Sequence, residues 1–169
     1  MKDFRQKVLS VVDPVLRMSH QQFVESSPSH KKAIYRAARL EIVRTGVPPN
    51  AFQVVSFIKN EKIKLKDDDP VPRLISPRNV RANVIFGSYI RPAEKAIYKA
   101  INDVYGRPTV VSGQNAHQIA DMIRGAWDEL HEPVAISLDI YRMDQHVSDV
   151  PLKYAFSFYT KMYRQDPTI

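Results

Sequence analysis

The fold is decided first by VAISLDIYRMDQHVSD, residues 134–149. The apolar run Val134–Leu138 predicts a buried β-strand that stops at Asp139. A carboxylate at the end of a strand leaves the apolar layer where the backbone reaches solvent, and it can ligate a divalent cation while the strand holds it rigid. Asp144 follows after a predicted turn and could face the same cleft. The alternatives are a solvated strand-end carboxylate for Asp139 and a turn or cap residue for Asp144.

A second stretch, FIKNEKIKLKDDDPVPRLISPRNVRAN at 57–83, is strongly basic. Its cations alternate with β-branched residues and prolines: Lys59, Lys62, Lys64, Lys66, Arg73, Arg78 and Arg81. Prolines at 70, 72 and 77 restrict the backbone, so the basic side chains can be held at little further entropic cost. Arginine binds phosphate oxygens in pairs and lysine adds point charge. The stretch therefore predicts a site for a triphosphate or an RNA backbone, with a solvated charged hairpin as the alternative.

The charge is divided unevenly along the 169 residues, whose formal net charge is +7. Residues 1–50 and 51–100 each carry +5, whereas residues 101–169 carry −3. A basic front and an acidic rear are typical of a protein that holds a polyanion with one part and a cation with the other, although an ordinary basic protein with uneven surfaces fits as well. The chain has no cysteine, which excludes disulfides, cysteine zinc sites and a cysteine nucleophile.

Hydrophobic periodicity predicts a mixed α+β fold. Helices are predicted at Phe4–Val12, Ser29–Thr45, Pro92–Tyr105, Asn115–Leu130 and Asp149–Tyr163. Besides Val134–Leu138, strands are predicted at Phe52–Ile58 and, more exposed, at Lys59–Lys66, with a short extended segment at Arg73–Ser76. No apolar run approaches the ~20 residues that cross a bilayer.

The two stretches together resemble the RNA-directed RNA polymerases of positive-strand RNA viruses, specifically the tombusvirus-like group. The matching segments are residues 57–83 and 138–149, and between them GSYIRPAE at 87–94, GRPT at 106–109 and Asn115-Ala116 also fit. The resemblance covers most of the chain. It implies a partial right-hand polymerase: the first stretch looks like the fingers motif that lines the nucleotide channel, and the second like the palm motif with the first metal-binding aspartate.

The resemblance also implies residue roles. Asp139, helped by the Ile140 backbone carbonyl, would ligate catalytic Mg²⁺ (or Mn²⁺), and Asp144 would help to recognise the incoming ribose. Contacts to the nucleoside triphosphate or RNA are implied for Lys59, Lys62, Lys66, Arg73, Arg78 and Arg81. The implied reaction is attack of an RNA 3′ oxygen on the α-phosphate of a nucleoside triphosphate.

The implied organisation is a fingers region at 1–132 and the start of the palm at 133–169, comprising its first strand and the following helix. No Gly-Asp-Asp word occurs in the chain. We therefore expect a polymerase portion that is inactive alone and needs the remaining palm and thumb, in cis or in trans. Its implied partners are an RNA template, the nascent strand and nucleoside triphosphates, and the implied location is the host cytoplasm or, through other parts, replication membranes.

Two alternatives remain at the level of sequence. One is a small basic RNA-binding protein without metal chemistry, in which Asp139→Ala would leave function intact. The other is an interaction fragment whose open palm edge recruits a partner. Because an unpaired strand exposes backbone donors and acceptors, we expect the isolated chain to self-associate.

Overall fold

The chain is mainly helical, with one small sheet, in the computed structural model, which describes residues 2–60, 72–141 and 143–163. The helices are α1 (Lys2–Val11), α2 (His20–Glu25), α3 (Ser29–Thr45), α4 (Val80–Tyr105), α5 (Ala116–Asp128), α6 (Met143–His146) and α7 (Asp149–Met162). The strands are β1 (Phe57–Ile58) and β2 (Leu74–Ile75), and a 3₁₀ turn spans Pro49–Phe52. The α+β class predicted from the sequence is confirmed.

Local sequence signals set the ends of most helices. The prediction for α3 is confirmed at both ends, and Gly46 follows it with a φ of 74°, a conformation that glycine adopts without the steric penalty of a Cβ. At α5, the Asn115 side chain accepts a hydrogen bond from the backbone N–H of Gln118, which caps the helix. The predictions for α1 and α7 also agree with the structure within about two residues, the usual uncertainty of helix ends.

Helix α4 begins twelve residues before Pro92, the start predicted from the sequence, and contains that proline. The Asn79 side chain accepts a hydrogen bond of 2.9 Å from the Arg81 N–H, so Asn79 caps the true N-terminus. Proline lacks the N–H that would bond to the carbonyl of Ser88, four residues earlier. That carbonyl instead accepts from the backbone N–H of Met18 at 3.0 Å. A tertiary contact thus satisfies the group that Pro92 leaves free, and the helix continues.

The predicted buried strand Val134–Leu138 is wrong. Residues 133–140 form no regular element, and Val134, Ile136 and Leu138 are 79%, 77% and 89% exposed. A strand obtains its backbone hydrogen bonds from a neighbouring strand, and none of the described residues pairs with this segment. The strand predicted at Phe52–Ile58 is likewise reduced to β1, because Pro49 begins a 3₁₀ turn that includes Phe52. The strand predicted at Lys59–Lys66 lies largely outside the described residues.

The chain divides into two compact units. The hairpin unit, Met18–Arg91, contains the basic stretch and has a core of Phe23, Ala38 and Val84. The acidic-segment unit combines Met1–Arg17 with Pro92–Ile169, and its core is formed by Val8, Ala100 and Phe158. Helix α4 contributes residues to both. The division into fingers and palm at residue 132 concerns function rather than compactness and stays a prediction.

Candidate functional site

The basic stretch folds back on itself as an antiparallel ladder. Phe57 pairs with Ile75 and Ile58 with Leu74, and the Ser56 and Ser76 hydroxyl oxygens lie 2.9 Å apart. An isolated bridge between residues 54 and 78 continues the same register toward the base of the ladder. We call residues 54–59 with 73–78 the basic hairpin.

The register places two cationic residues opposite each other at the end of the basic hairpin where residues 60–72 join its strands. The Lys59 N–H donates a hydrogen bond of 2.8 Å to the carbonyl oxygen of Arg73. Residues directly opposite in an antiparallel pair have Cβ atoms about 4.5–5.5 Å apart on the same face of the sheet. Lys59 and Arg73, well separated in sequence, are therefore opposite each other across the ladder through their backbones. The sequence indicated each residue but not their juxtaposition, because the ladder register decides it.

The base of the basic hairpin is attached to α4 through aromatic contacts. The Arg78 guanidinium lies 5.5 Å from the centroid of the Phe86 ring, a cation–π contact. The Phe52 and Phe86 rings pack edge to face, with their centroids 5.4 Å apart. Arg78 belongs to the bridge at the base of the basic hairpin, whereas Arg73 lies at its other end. The structure thus separates along the hairpin two arginines that the sequence treated as one group.

Arg81 lies in the first turn of α4 and binds a carboxylate. Its Nε and Nη2 approach Oε2 of Glu41, on α3, at 2.8 and 2.7 Å. This ion pair connects the start of α4 with α3 inside the hairpin unit. Sequence reasoning missed Glu41, whose signal is its position as the sole acid within the basic helix α3. Lys62 and Lys66 lie outside the described residues, and their implied roles stay predictions.

The acidic segment, residues 134–140, places Asp139 on an exposed stretch without regular secondary structure. Val134, Ile136, Leu138 and Ile140 alternate along it, and all are at least 60% exposed. Alternation with a period of two is the pattern of a strand with one apolar face. The segment thus keeps the side-chain pattern of a strand although its backbone is unpaired within the described part of the chain.

The carboxylate and carbonyl oxygens at residues 139 and 140 are of the type that binds a hard divalent cation. The Asp139 carboxylate and the Ile140 backbone carbonyl are ligands that Mg²⁺ accepts, but Mg²⁺ requires six oxygens in octahedral geometry. Across residues 2–60, 72–141 and 143–163, no three His, Cys, Asp or Glu side chains form a metal-binding group. The backbone of Asp144 belongs to α6 rather than to the predicted turn. The segment can therefore contribute ligands to a site without completing one.

Arg73 and Asp139 belong to different compact units. That they serve one nucleotide site, as the resemblance implies, stays a prediction. Two groups with shifted pKa values lie in the acidic-segment unit but in neither motif. Burial, with the nearby Glu94 carboxylate, raises the pKa of the Tyr159 phenol, and a hydrogen bond of 2.8 Å to Asp103 raises the pKa of the Lys99 ammonium.

The chain belongs to the family of viral RNA-dependent RNA polymerases, whose family model matches residues 1–169. Its relatives include proteins named RNA-directed RNA polymerase. That of Oat chlorotic stunt virus (isolate United Kingdom) is 41% identical over 150 residues, which are 88% of this chain and 20% of the relative. That of Melon necrotic spot virus is 37% identical over 164 residues, 96% of this chain and 21% of the relative. That of Cymbidium ringspot virus is 36% identical over 163 residues, which are 96% of this chain and 20% of the relative.

These comparisons confirm the resemblance to tombusvirus-like polymerases that the two motifs indicated. The chain spans about a fifth of the length of these relatives. No solved structure matches the chain significantly. Among the described helices, none has both the length and the apolar character that a membrane span requires.

Proposed function

We propose that the chain supplies the nucleotide channel and the first palm segment of a polymerase that copies viral RNA. This function requires a cationic surface for a triphosphate and a carboxylate at the reaction centre. The hairpin unit provides the first and the acidic segment the second. The proposed partners are an RNA template, the nascent strand and nucleoside triphosphates, and the proposed architecture is the fingers and first palm strand of a right-hand polymerase.

The observation that carries the proposal is the register of the basic hairpin. It pairs the backbones of Lys59 and Arg73 across the ladder, and we infer that their side chains offer two cations to the oxygens of one triphosphate. The arginine fork can accept two of them, and the lysine adds a point charge. Their role is to hold the triphosphate and to offset the charge that the leaving pyrophosphate carries away. Lys62, Lys66 and Arg78 are proposed to extend the positive field along the channel. Arg81 would have to share its guanidinium with Glu41.

Asp139 and the Ile140 carbonyl are the proposed ligands for Mg²⁺ or Mn²⁺ in this segment. Such a cation supplies positive charge to the attacking and leaving oxygens of a phosphoryl transfer. Asp139 contributes the carboxylate, and it lies between the alternating apolar residues Leu138 and Ile140. Asp144, five residues later, is proposed to hydrogen-bond the incoming ribose, whose 2′-hydroxyl distinguishes RNA from DNA precursors.

The apolar alternation of residues 134–140 supports a further part of the proposal. A segment with one exposed apolar face becomes a stable strand when neighbouring strands supply backbone hydrogen bonds and cover that face. We infer that this neighbour comes from palm and thumb portions outside the described residues, joined in cis or in trans. The isolated chain is then expected to lack polymerase activity.

The test uses an intact polymerase that contains this segment, in a primer-extension assay with Mg²⁺. Asp139→Asn removes an anionic ligand while keeping the side-chain shape, and we expect at least a ~100-fold fall in rate, or about 2.7 kcal/mol of transition-state stabilisation. Asp149→Asn is the matched control, because Asp149 forms an exposed ion pair of 2.6 Å with Lys153 on α7. Its rate should change less than about twofold. Equal rates for the two variants would exclude the metal role and favour a basic RNA-binding protein.

A further inference from the structure

Helices α1 and α7 border a cleft of about 550 Å³ within the acidic-segment unit. We call it the α1–α7 cleft, and its lining residues are Arg5, Lys153, Phe156, Ser157, Thr160 and Lys161. The lining combines cationic, hydroxyl and aromatic residues, and the surface that they present to the cleft is mainly apolar. None of its lining residues in the described part of the chain is a carboxylate. The cleft shares no residue with the basic hairpin or with the acidic segment.

The sequence of α7 places its contribution on one side of that helix. The lining positions 153, 156, 157, 160 and 161 are separated by three and four residues, which is the spacing of one helical face. The two lysines lie two turns apart, with Phe156 and the hydroxyls of Ser157 and Thr160 between them. An extended polyanion could therefore contact both ends of the row and the ring between them.

Arg5 enters the cleft from α1 in a fixed orientation. Its Nε donates a hydrogen bond of 2.7 Å to the Ser157 hydroxyl, which in turn donates to the Tyr154 carbonyl at 2.6 Å. A bond through Nε leaves the two terminal nitrogens of the guanidinium as a fork that fits phosphate oxygens. Such an orientation reduces the side-chain entropy that anion binding would otherwise cost.

The cleft keeps a net positive charge although one of its three cations, Lys153, forms an ion pair with a residue outside the lining. Lys153 pairs with Asp149 at 2.6 Å, so it is partly neutralised at the rim. Within the part of the chain that the structure describes, no carboxylate lies within ion-pair distance of Arg5 or Lys161. These two cations are the positions at which an anionic group gains most.

Phe156 determines the class of anion. Phe156 is 61% exposed and lies among the cationic residues of the lining. Inorganic phosphate makes no stacking contact with an aromatic ring. Single-stranded nucleic acid does, because its bases stack on exposed aromatic side chains while cations contact its phosphates. We propose that the α1–α7 cleft binds single-stranded RNA, with phosphates at Arg5 and Lys161 and a base on Phe156.

The experiment measures binding of a fluorescent oligouridylate to the full 169-residue chain at nanomolar concentration. The test variant combines Phe156→Ala with Lys161→Gln, and we expect its affinity to fall about tenfold or more because a stacked base and a phosphate contact are lost. Phe156→Tyr keeps the ring and should retain the affinity. Lys95→Gln removes an exposed lysine of the same unit outside the cleft and should change the affinity less than about twofold.

The salt dependence adds a second measurement. Loss of one phosphate contact should reduce the slope of log affinity against log salt by about 0.7 in the Lys161→Gln single variant. A double variant that binds oligouridylate as tightly as Lys95→Gln would overturn the proposal. The proposal would also be overturned if the double variant differed from Lys95→Gln only in binding to phosphatidylserine vesicles, which would assign the cleft to a membrane surface. Because the assay needs no nucleotidyl transfer, its failure is separable from loss of activity in Asp139→Asn.

Discussion

The basic hairpin and the acidic segment begin from similar sequence patterns and reach different structures. Strands were predicted at residues 52–58 and at residues 134–138, and both stretches are rich in apolar residues. Phe57–Ile58 finds a partner in Leu74–Ile75, and Arg78 and Phe52 attach the hairpin to Phe86 of α4. Val134–Ile140 finds no such partner among the described residues and leaves its apolar face in solvent. Strand propensity was present in both regions, so the difference lies in the available partner.

This difference has a consequence for function. The cationic side of the proposed site is assembled within one compact unit and supported by packed aromatic rings. Its anionic side depends on a segment that is a strand in pattern only. On the proposed assignment, the triphosphate surface lies within one compact unit, whereas the metal ligand lies on a segment that we expect to become rigid when strands from the rest of the protein pair with residues 134–140.

The largest expected effect concerns the exposed apolar face of the acidic segment. Ile136→Lys with Leu138→Lys places charges at two positions that are 77% and 89% exposed. We expect the isolated wild-type chain to self-associate through this face and the double variant to stay monomeric to at least tenfold higher concentration, because edge charges oppose strand pairing. Sedimentation velocity measures it. The control, Val43→Lys with Leu40→Lys, alters exposed apolar residues on α3. Equal self-association of the wild type and both variants would contradict the prediction.

A second prediction tests the packing in the core of the hairpin unit. Gly87 lies in α4 against the Phe23 ring, and a Cβ at this position would overlap the ring. We expect Gly87→Ala to lower the free energy of unfolding by about 1–3 kcal/mol, because overpacking outweighs the gain of ~1 kcal/mol in helix propensity. Gly125→Ala on α5 is the control. Its Cβ would meet nothing within 4 Å, so the same substitution should stabilise by ~0.4–1 kcal/mol. Urea denaturation gives both values, and a stabilising Gly87→Ala would refute the close contact.

The smallest effect compares the two regions by one substitution. Lys59→Pro removes the N–H that donates to Arg73 and should cost about 1 kcal/mol locally. Ile136→Pro removes an N–H with no ladder to join in the described structure, and we expect a change within about 0.5 kcal/mol. Hydrogen exchange at the amide of Ile75 and global denaturation report the two effects. Equal costs for the two prolines would mean that residues 134–140 are already paired.

Helices were predicted well and strands poorly. The bounds of α3 follow from apolar spacing and from Gly46, which are local features. The start of α4 was missed because Pro92 was treated as a helix beginning, whereas Met18 satisfies the carbonyl that the proline leaves unbonded. The short helix α2 was also missed, although Ser19 and Gln22 form a capping box that the sequence contains.

The candidate site divides in the same way. The basic and acidic motifs, and the polymerase family to which they point, could be identified from the sequence. The partner of Arg81, Glu41, could not, because the two residues lie forty positions apart and meet through the packing of α3 and α4.

By itself, the sequence determined the family, the helical segments and the residue types suited to phosphate and cation binding. These depend on side-chain chemistry and on hydrogen bonds that span four residues, so they are readable along the chain. Only the tertiary structure decided that Lys59 faces Arg73, that α4 passes through Pro92 and that residues 134–140 stay exposed. Each of these depends on a hydrogen-bond partner far away in sequence, or on the lack of one among the described residues.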